Sequence, residues 1–225
     1  MDVGRLSVII ISMRKTFVNG EFYHVYNRGT DKRFVFMDNY DFKRFLQSME
    51  EFNSVEPIGS IYQNSFIKSQ LRRPTSKLVN IICYCLNQNH YHMIIQQYAD
   101  NGVSEFMRKL NGGYTKYFNW KHKRNGVLFQ GKFKAIHIDS NEYLLHASAY
   151  VNLNNRVHRL KNEHFFSSWN EFMKNENKSI CKKNVILSQF KSKVEYSNFA
   201  IEALQNILNK KDLQKELEIL LSLEN

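Results

Sequence analysis

Two apolar runs, Ile81–Leu86 and Met93–Ile95, flank a short polar break and the triplet His90-Tyr91-His92. Runs this short, rich in Ile, Tyr and Cys, predict buried strands. Upstream, Phe22, His24 and Tyr26 alternate with Tyr23 and Val25. That period of two predicts a first strand, entered from the Asn19-Gly20 turn and left through the loop Asn27-Arg28-Gly29. Helical spacing of Phe42, Phe45, Leu46 and Met49 predicts a helix over 38–52, with Asp38 or Asn39 as its cap. The stripe Phe106, Leu110, Tyr114, Tyr117 and Phe118 predicts a second over 104–122, weakened locally by Gly112-Gly113. Residues 127–138 read as a strand, with Phe133, Ala135 and His137 alternating against Lys132 and Lys134. Residues 139–154 read as a helix, with Asp139 as N-cap and Glu142 three residues on. The order strand, helix, strand, strand, helix, strand, helix predicts an α+β domain with an antiparallel sheet and helices on one face.

The margins are less regular. Residues 1–13 read as an N-terminal extension. The apolar core Val8–Ile11 is shorter than the ~7–15 residues of a signal peptide, and Met13-Arg14-Lys15 makes a sensible translation start. Residues 53–77 hold both prolines, Pro57 and Pro74, and read as a long loop or insertion. Past Val157, the stretch Phe165-Phe166-Ser167-Ser168-Trp169 reads as a docking segment. Residues 185–225 carry two or three short helical patterns, so 173–225 is expected to form a small helical appendage.

Charge changes the picture. The net charge of +11 over 225 residues points to a polyanionic partner. Residues 102–164 carry eleven Lys or Arg against four acids, so most of the excess lies in just over a quarter of the chain. Phe118, Trp120, Phe129 and Phe133 are interleaved with these cations, which suits stacking on unpaired bases. The plainer alternative is a solvated helix face above core aromatics. Three cysteines give no disulfide framework and fit a reducing cytoplasm. No apolar run approaches the ~18–20 residues that span a bilayer, so no membrane partner is expected. There is no Gly-x-Gly-x-x-Gly, no Walker-type phosphate loop, no nucleophile elbow and no Cys-x-x-Cys pair.

The candidate chemistry is sparse. On a strand, His90 and His92 point to the same face, where two imidazoles can grip one divalent cation. Taken alone, the plainer reading is two histidines at the wet end of a strand. Tyr150 and Asn154, four apart on the expected helix, share a face with Tyr143 and Ala147. A tyrosine is a covalent nucleophile where a metal polarises the phosphate it attacks, and an amide oxygen can complete a site begun by two histidines. On the residues alone, a core aromatic and a helix-terminal amide is the plainer reading of this pair. The other histidines, 24, 122, 137, 146, 158 and 164, read as structural.

Taken together these residues resemble a family. Asn89–Ile95, NHYHMII, is similar to the His–bulky residue–His motif of the single-tyrosine HUH transposases, and the order of motifs is that of the REP-associated tyrosine transposase branch, IS200-like in type. Tyr23–Gly29 (YHVYNRG), Leu128–Lys134 (LFQGKFK), Tyr150–Asn154 and the patch at 167–169 match further segments, over residues 14–172. Asn155 and Gln88 stand where that family usually has proline, and Lys132 where it has arginine, which keeps the charge and loses the bidentate fork.

The resemblance implies a ferredoxin-like, RRM-like sheet fold, and Mg²⁺ or Mn²⁺ held by His90, His92 and Asn154. It implies attack by Tyr150 on single-stranded hairpin DNA, giving a 5′-phosphotyrosine and a free 3′-OH that can be rejoined. Arg28, Arg108, Lys109, Lys116, Lys121, Lys123, Arg124, Lys132 and Lys134 are the expected DNA contacts. The expected location is the bacterial cytoplasm at the nucleoid; a homodimer stays open. Two other readings compete. A catalytically silent nucleic-acid binder is opposed by the intact set His90, His92, Tyr150 and Asn154. A different metal enzyme is opposed by the basic segment.

Overall fold

Five strands form one antiparallel sheet in the computed structural model, in the order β4-β1-β3-β2-β5. They are β1 (Phe22–Arg28), β2 (Val79–Asn87), β3 (His90–Gln97), β4 (Lys134–Ile138) and β5 (Phe165–Ser167). The helices are α1 (Asn39–Glu51), α2 (Gly102–Lys121), α3 (Asn141–Asn152), α4 (Asn154–Val157), α5 (Trp169–Met173), α6 (Asn184–Leu187) and α7 (Lys193–Leu223). The structure describes residues 16–59, 61, 76–160, 165–174 and 179–223, with side chains in α7 up to residue 213. The expected N-terminal extension lies outside these residues, as does most of the segment 53–77.

The central hairpin turns at Gln88-Asn89 and sets the register. His90 pairs with Arg28 and Asn87, and His92 with Tyr26 and Cys85. Since successive side chains point to opposite faces, His24, Tyr26, Cys85, Asn87, His90 and His92 share one face. Val25, Leu86, Tyr91 and Met93 share the other. Each of these four is fully buried, the expected state for a strand residue covered by helices.

Helices α1 and α2 cover the Tyr91 face. The Tyr91 ring lies 5.2 Å from that of Phe45 on α1, and its hydroxyl donates to Asn111 Oδ1 on α2 at 2.9 Å. Tyr114 packs edge-on against Phe45 and donates to the Val35 carbonyl at 2.6 Å, so its aromatic area is buried with its polar tip satisfied. Asp38 caps α1, accepting from Asp41 N. The fully buried Asp41 carboxylate accepts from Lys121 Nζ, His122 Nε2 and the backbone N–H of Met37, each within 2.9 Å, and this ties the end of α2 to the start of α1.

The second face has its own helices, which departs from the one-sided arrangement expected. Tyr150 on α3 sits edge-on to His92, the immediate sequence neighbour of Tyr91, so α3 lies opposite α1 and α2. Helix α7 packs on α3 through Tyr196, whose hydroxyl contacts Ser148 Oγ and accepts from Asn152 Nδ2 at 2.9 Å. Ser168 Oγ donates to Asn152 Oδ1 at 2.6 Å, closing a fully buried polar network between α3, α7 and the chain after β5. The pattern 185–225 is thus a short turn, α6, and one long helix, rather than several short ones. Among the described residues no helix is long and apolar enough to cross a membrane.

Other boundaries move for local reasons. The strand expected over 127–138 begins at Lys134, because Gly126 and Gly131 take positive φ and curl the preceding segment; only Phe129 pairs, as an isolated bridge to Gly29. Helix α3 is capped by Ser140, whose Oγ accepts from Tyr143 N, and not by Asp139. It ends before Leu153, so Tyr150 and Asn154 stand on two successive helices. Phe118 and Phe129, read as interleaved stacking aromatics, are core residues; Trp120 is 81% exposed.

Candidate active site

The register of β1, β2 and β3 brings a set of polar side chains together beneath α3 and α4. His90 Nδ1 bonds to Asn89 Oδ1, which can only accept, so Nδ1 carries the proton and Nε2 keeps its lone pair. Asn87 Nδ2 lies 2.8 Å from His90 Nε2 and donates to Asn154 Oδ1 at 2.7 Å. His90 Nε2 and Asn154 Oδ1 are therefore two acceptors only 3.2 Å apart. The Asn87 amide, with two hydrogens to donate, bridges this pair, while Asn154 Nδ2 is buried without a hydrogen bond.

The second histidine of the motif is held differently. His92 Nδ1 lies 2.8 Å from His24 Nε2, with the rings stacked at 29°. His90 and His92 are perpendicular, with centroids 5.3 Å apart, and the Tyr150 ring is 5.6 Å from that of His92. The His158 ring meets His90 edge-on at 4.8 Å.

Burial sets the protonation states. It pushes His24 down to about 4 and His92 well below its ordinary value, the neighbouring histidines adding to the effect at His92. His90 is lowered by burial, opposed by Asn154 and assisted by the charge of Lys211 on α7. All three imidazoles are thus neutral at physiological pH and have lone pairs to offer. Burial raises Tyr150, while the nearby Asn154 amide pulls it back.

A cavity of about 630 Å³ opens onto His90, His92 and Tyr150, and Arg28, Lys32 and Lys134 stand at its edge. Lys32 takes φ 58, in the left-handed region, which a non-glycine residue adopts at some strain. The loop before it needs Gly29, since a Cβ there would meet the Arg33 carbonyl at 2.2 Å. Arg28 Nε donates to Gln130 Oε1, so the Gln-Gly-Lys-Phe segment braces the cationic rim.

The remaining expected DNA contacts are not brought to this cavity. Arg108, Lys109 and Lys116 lie on α2, across the sheet, where with Arg44, Tyr117 and Trp120 they border a depression of about 1290 Å³. Arg108 is paired to Glu105, and Lys109 donates to the Ser54 carbonyl. Lys121 bridges Asp38 and Asp41 at 2.8 Å. Lys132 faces α2, and Arg124 lies over the Phe118 ring beyond Lys123.

Two imidazoles and one amide oxygen suit a hard or borderline cation held by N and O ligands. Among the described residues no group of three or more His, Cys, Asp or Glu could hold a metal ion, so a further protein ligand beside His90 and His92 would be of another residue type, and Asn154 Oδ1 lies 3.2 Å from His90 Nε2.

A family model described as IS200-like transposase matches residues 62–154. That stretch of the chain is similar to the IS200-like transposases. His90, His92, Tyr150 and Asn154 all fall within this matched span. A solved REP-associated tyrosine transposase bound to a REP hairpin shares the fold, with a TM-score of 0.52 at 13% identity over 74% of this chain and 87% of that one. No curated protein matches.

Several residues that contact the histidine pair went unread in the sequence. His24 was taken as structural, although its alternation with Tyr26 on β1 placed it on the histidine face once β1 is paired with β3. His158, four residues past Asn154, carried helical spacing as its one signal. Asn87 and Asn89 stand in the polar break before His90, and their roles depend on the hairpin register.

Proposed function

We propose that the protein cleaves and rejoins single-stranded DNA at hairpin-forming ends, through a covalent bond to Tyr150. One observation carries this reading: Tyr150 and His92 converge beside His90 Nε2 and Asn154 Oδ1, which lie 3.2 Å apart, in a cavity rimmed by Arg28, Lys32 and Lys134. Mg²⁺ or Mn²⁺, held by His90, His92 and Asn154, would polarise the scissile phosphate there.

The chain's own residues do the rest. Arg28, Lys32 and Lys134 draw in the phosphodiester backbone. The Tyr150 phenol, neutral at rest like any phenol near pH 7 and more firmly so for its partial burial, loses its proton as its oxygen bonds to phosphorus. The bond from phosphorus to the 3′ oxygen breaks, and that oxygen takes up a proton. The products are a 5′-phosphotyrosine and a 3′-OH, and the 3′-OH of another strand reverses the step. All four groups belong to one chain, so the reading needs no second copy at the site. Arg108, Lys109, Lys116, Lys123, Arg124 and Lys132 would hold more distant parts of the DNA. Lys121 has less to offer, with its charge committed to two carboxylates. The hairpin is carried over from the REP hairpin of the structural neighbour. The bacterial cytoplasm, at the nucleoid, is the location that fits such a substrate.

The test is a covalent adduct. Labelled single-stranded hairpins from the gene's own flanks are incubated with protein and Mn²⁺, denatured and run on a gel. A shifted band that survives denaturant, present in the wild type and missing in Tyr150→Phe, supports the assignment. An adduct that persists in Tyr150→Phe assigns the nucleophile elsewhere. Cleavage without adduct indicates hydrolysis, and uncut but bound DNA indicates a silent binding module.

A further inference from the structure

The wall formed by Tyr26, His92 and Tyr150 has two sides. One faces the cationic cavity. The other lines a second hollow of about 490 Å³, completed by Ile136 of β4, Tyr143, His146 and Ala147 of α3, and Ile207 of α7. The contrast in lining is sharp: the cavity is edged by Arg28, Lys32 and Lys134, while among the described residues no Asp, Glu, Lys or Arg lines the hollow. Ile136 and Tyr143 are 40% and 37% exposed, so the surface is open to a ligand. His146 is held from behind by Phe199 of α7, with ring centroids 5.0 Å apart. The long C-terminal helix therefore shapes this hollow directly.

We propose that the hollow receives the base of a nucleotide flanking the scissile phosphate, with Tyr143 as the ring on which it stacks. The inference rests on the strand-cleavage reading. A strand whose phosphate is held at Tyr150 by cations must lodge the adjoining bases outside the charged cavity. A nucleobase offers a flat, uncharged face, and a shallow uncharged hollow bounded by tyrosine and imidazole rings is complementary to it. The Tyr26, His92 and Tyr150 side chains line both compartments, so the base would belong to a neighbouring nucleotide. Tyr143 also shares the α3 face of Tyr150 yet lines only the hollow, which suits it to binding a base rather than to attacking a phosphate.

Cross-linking tests this without requiring cleavage. A single-stranded hairpin with single-stranded flanks, carrying 5-iodouracil at one flank position at a time, is irradiated with wild-type protein in EDTA, and cross-linked peptides are identified by mass spectrometry. Cross-linking to Tyr143 from one flank position is expected. Tyr143→Ala should then weaken binding of that DNA by about 5- to 150-fold, the range for loss of one base–aromatic stack. The same DNA made abasic at that position should bind wild type and variant alike, and Tyr143→Phe should keep the affinity. Cross-links confined to other surfaces, or an equal loss with natural and abasic DNA, overturn the base site while leaving the cleavage reading in place. Failure to bind single-stranded DNA at all overturns both.

Discussion

Replacing His24 by phenylalanine keeps an aromatic ring on β1 and removes the nitrogen 2.8 Å from His92 Nδ1. If His92 offers its Nε2 lone pair to a cation, Nδ1 must carry the proton and donate to His24 Nε2. Without that acceptor, His92 either leaves a buried N–H unpaired or shifts its proton to Nε2 and loses the lone pair. Partners that orient ligating histidines are worth ~10–100-fold in metal affinity, about 1.4–2.8 kcal/mol. Titration of Mn²⁺ by calorimetry should show that loss in His24→Phe, and His24→Gln, which restores an acceptor oxygen, should recover part of it. Stability should change with a distinctive pH dependence. In the wild type, burial holds His24 at about 4, against 6.5 when solvated. The unfolded chain therefore binds the extra proton between these values, and stability is complete above pH 6.5 and lost as pH falls toward 4. The loss reaches roughly 2 kcal/mol at pH 5 and roughly 3 kcal/mol at full extent. His24→Phe escapes that loss. It should be less stable than wild type at pH 7.5, by about 1–3 kcal/mol for the unpaired nitrogen, and should draw level near pH 5 in urea melts. Unchanged Mn²⁺ affinity in a folded His24→Phe, or parallel pH profiles, would refute the reasoning.

Two further outcomes follow from the same packing. His90 and His92 are also held low by burial, so the wild-type melting temperature should be flat from pH 7 to 8 and fall steeply below about 6.5; calorimetric scans across that range check it. The adjacent glycines of α2 should respond in opposite directions. Gly112→Ala meets nothing within 4 Å and should stabilise by about 0.5–1 kcal/mol, whereas Gly113→Ala drives a methyl to within 2.4 Å of the Phe52 ring and should destabilise by about 1–3 kcal/mol in denaturant melts.

The local part of this structure was legible in the residues. Period-two alternation is a property of the backbone, so the hairpin carrying His90 and His92, and their shared face, followed from spacing alone. The Asp38 cap and the core stripe of α2 are similarly short-range. What the tertiary structure decided depends on which segments meet. An apolar stripe says which side of a helix is buried, not which face of a sheet it covers, and so α3 came to lie opposite α1 and α2. Helical spacing already separated Phe118, on the apolar stripe of α2, from Trp120, two residues on and turned to solvent. Lys121 reads as a free cation until α1 places Asp38 and Asp41 beside it. His24 and His92 are 68 residues apart, and Asn87 and Asn154 are 67 apart. Hydrogen bonds at such separations exist only once strand register and helix placement are fixed to within an ångström. That precision comes from the packed core as a whole, because no local sequence pattern carries it.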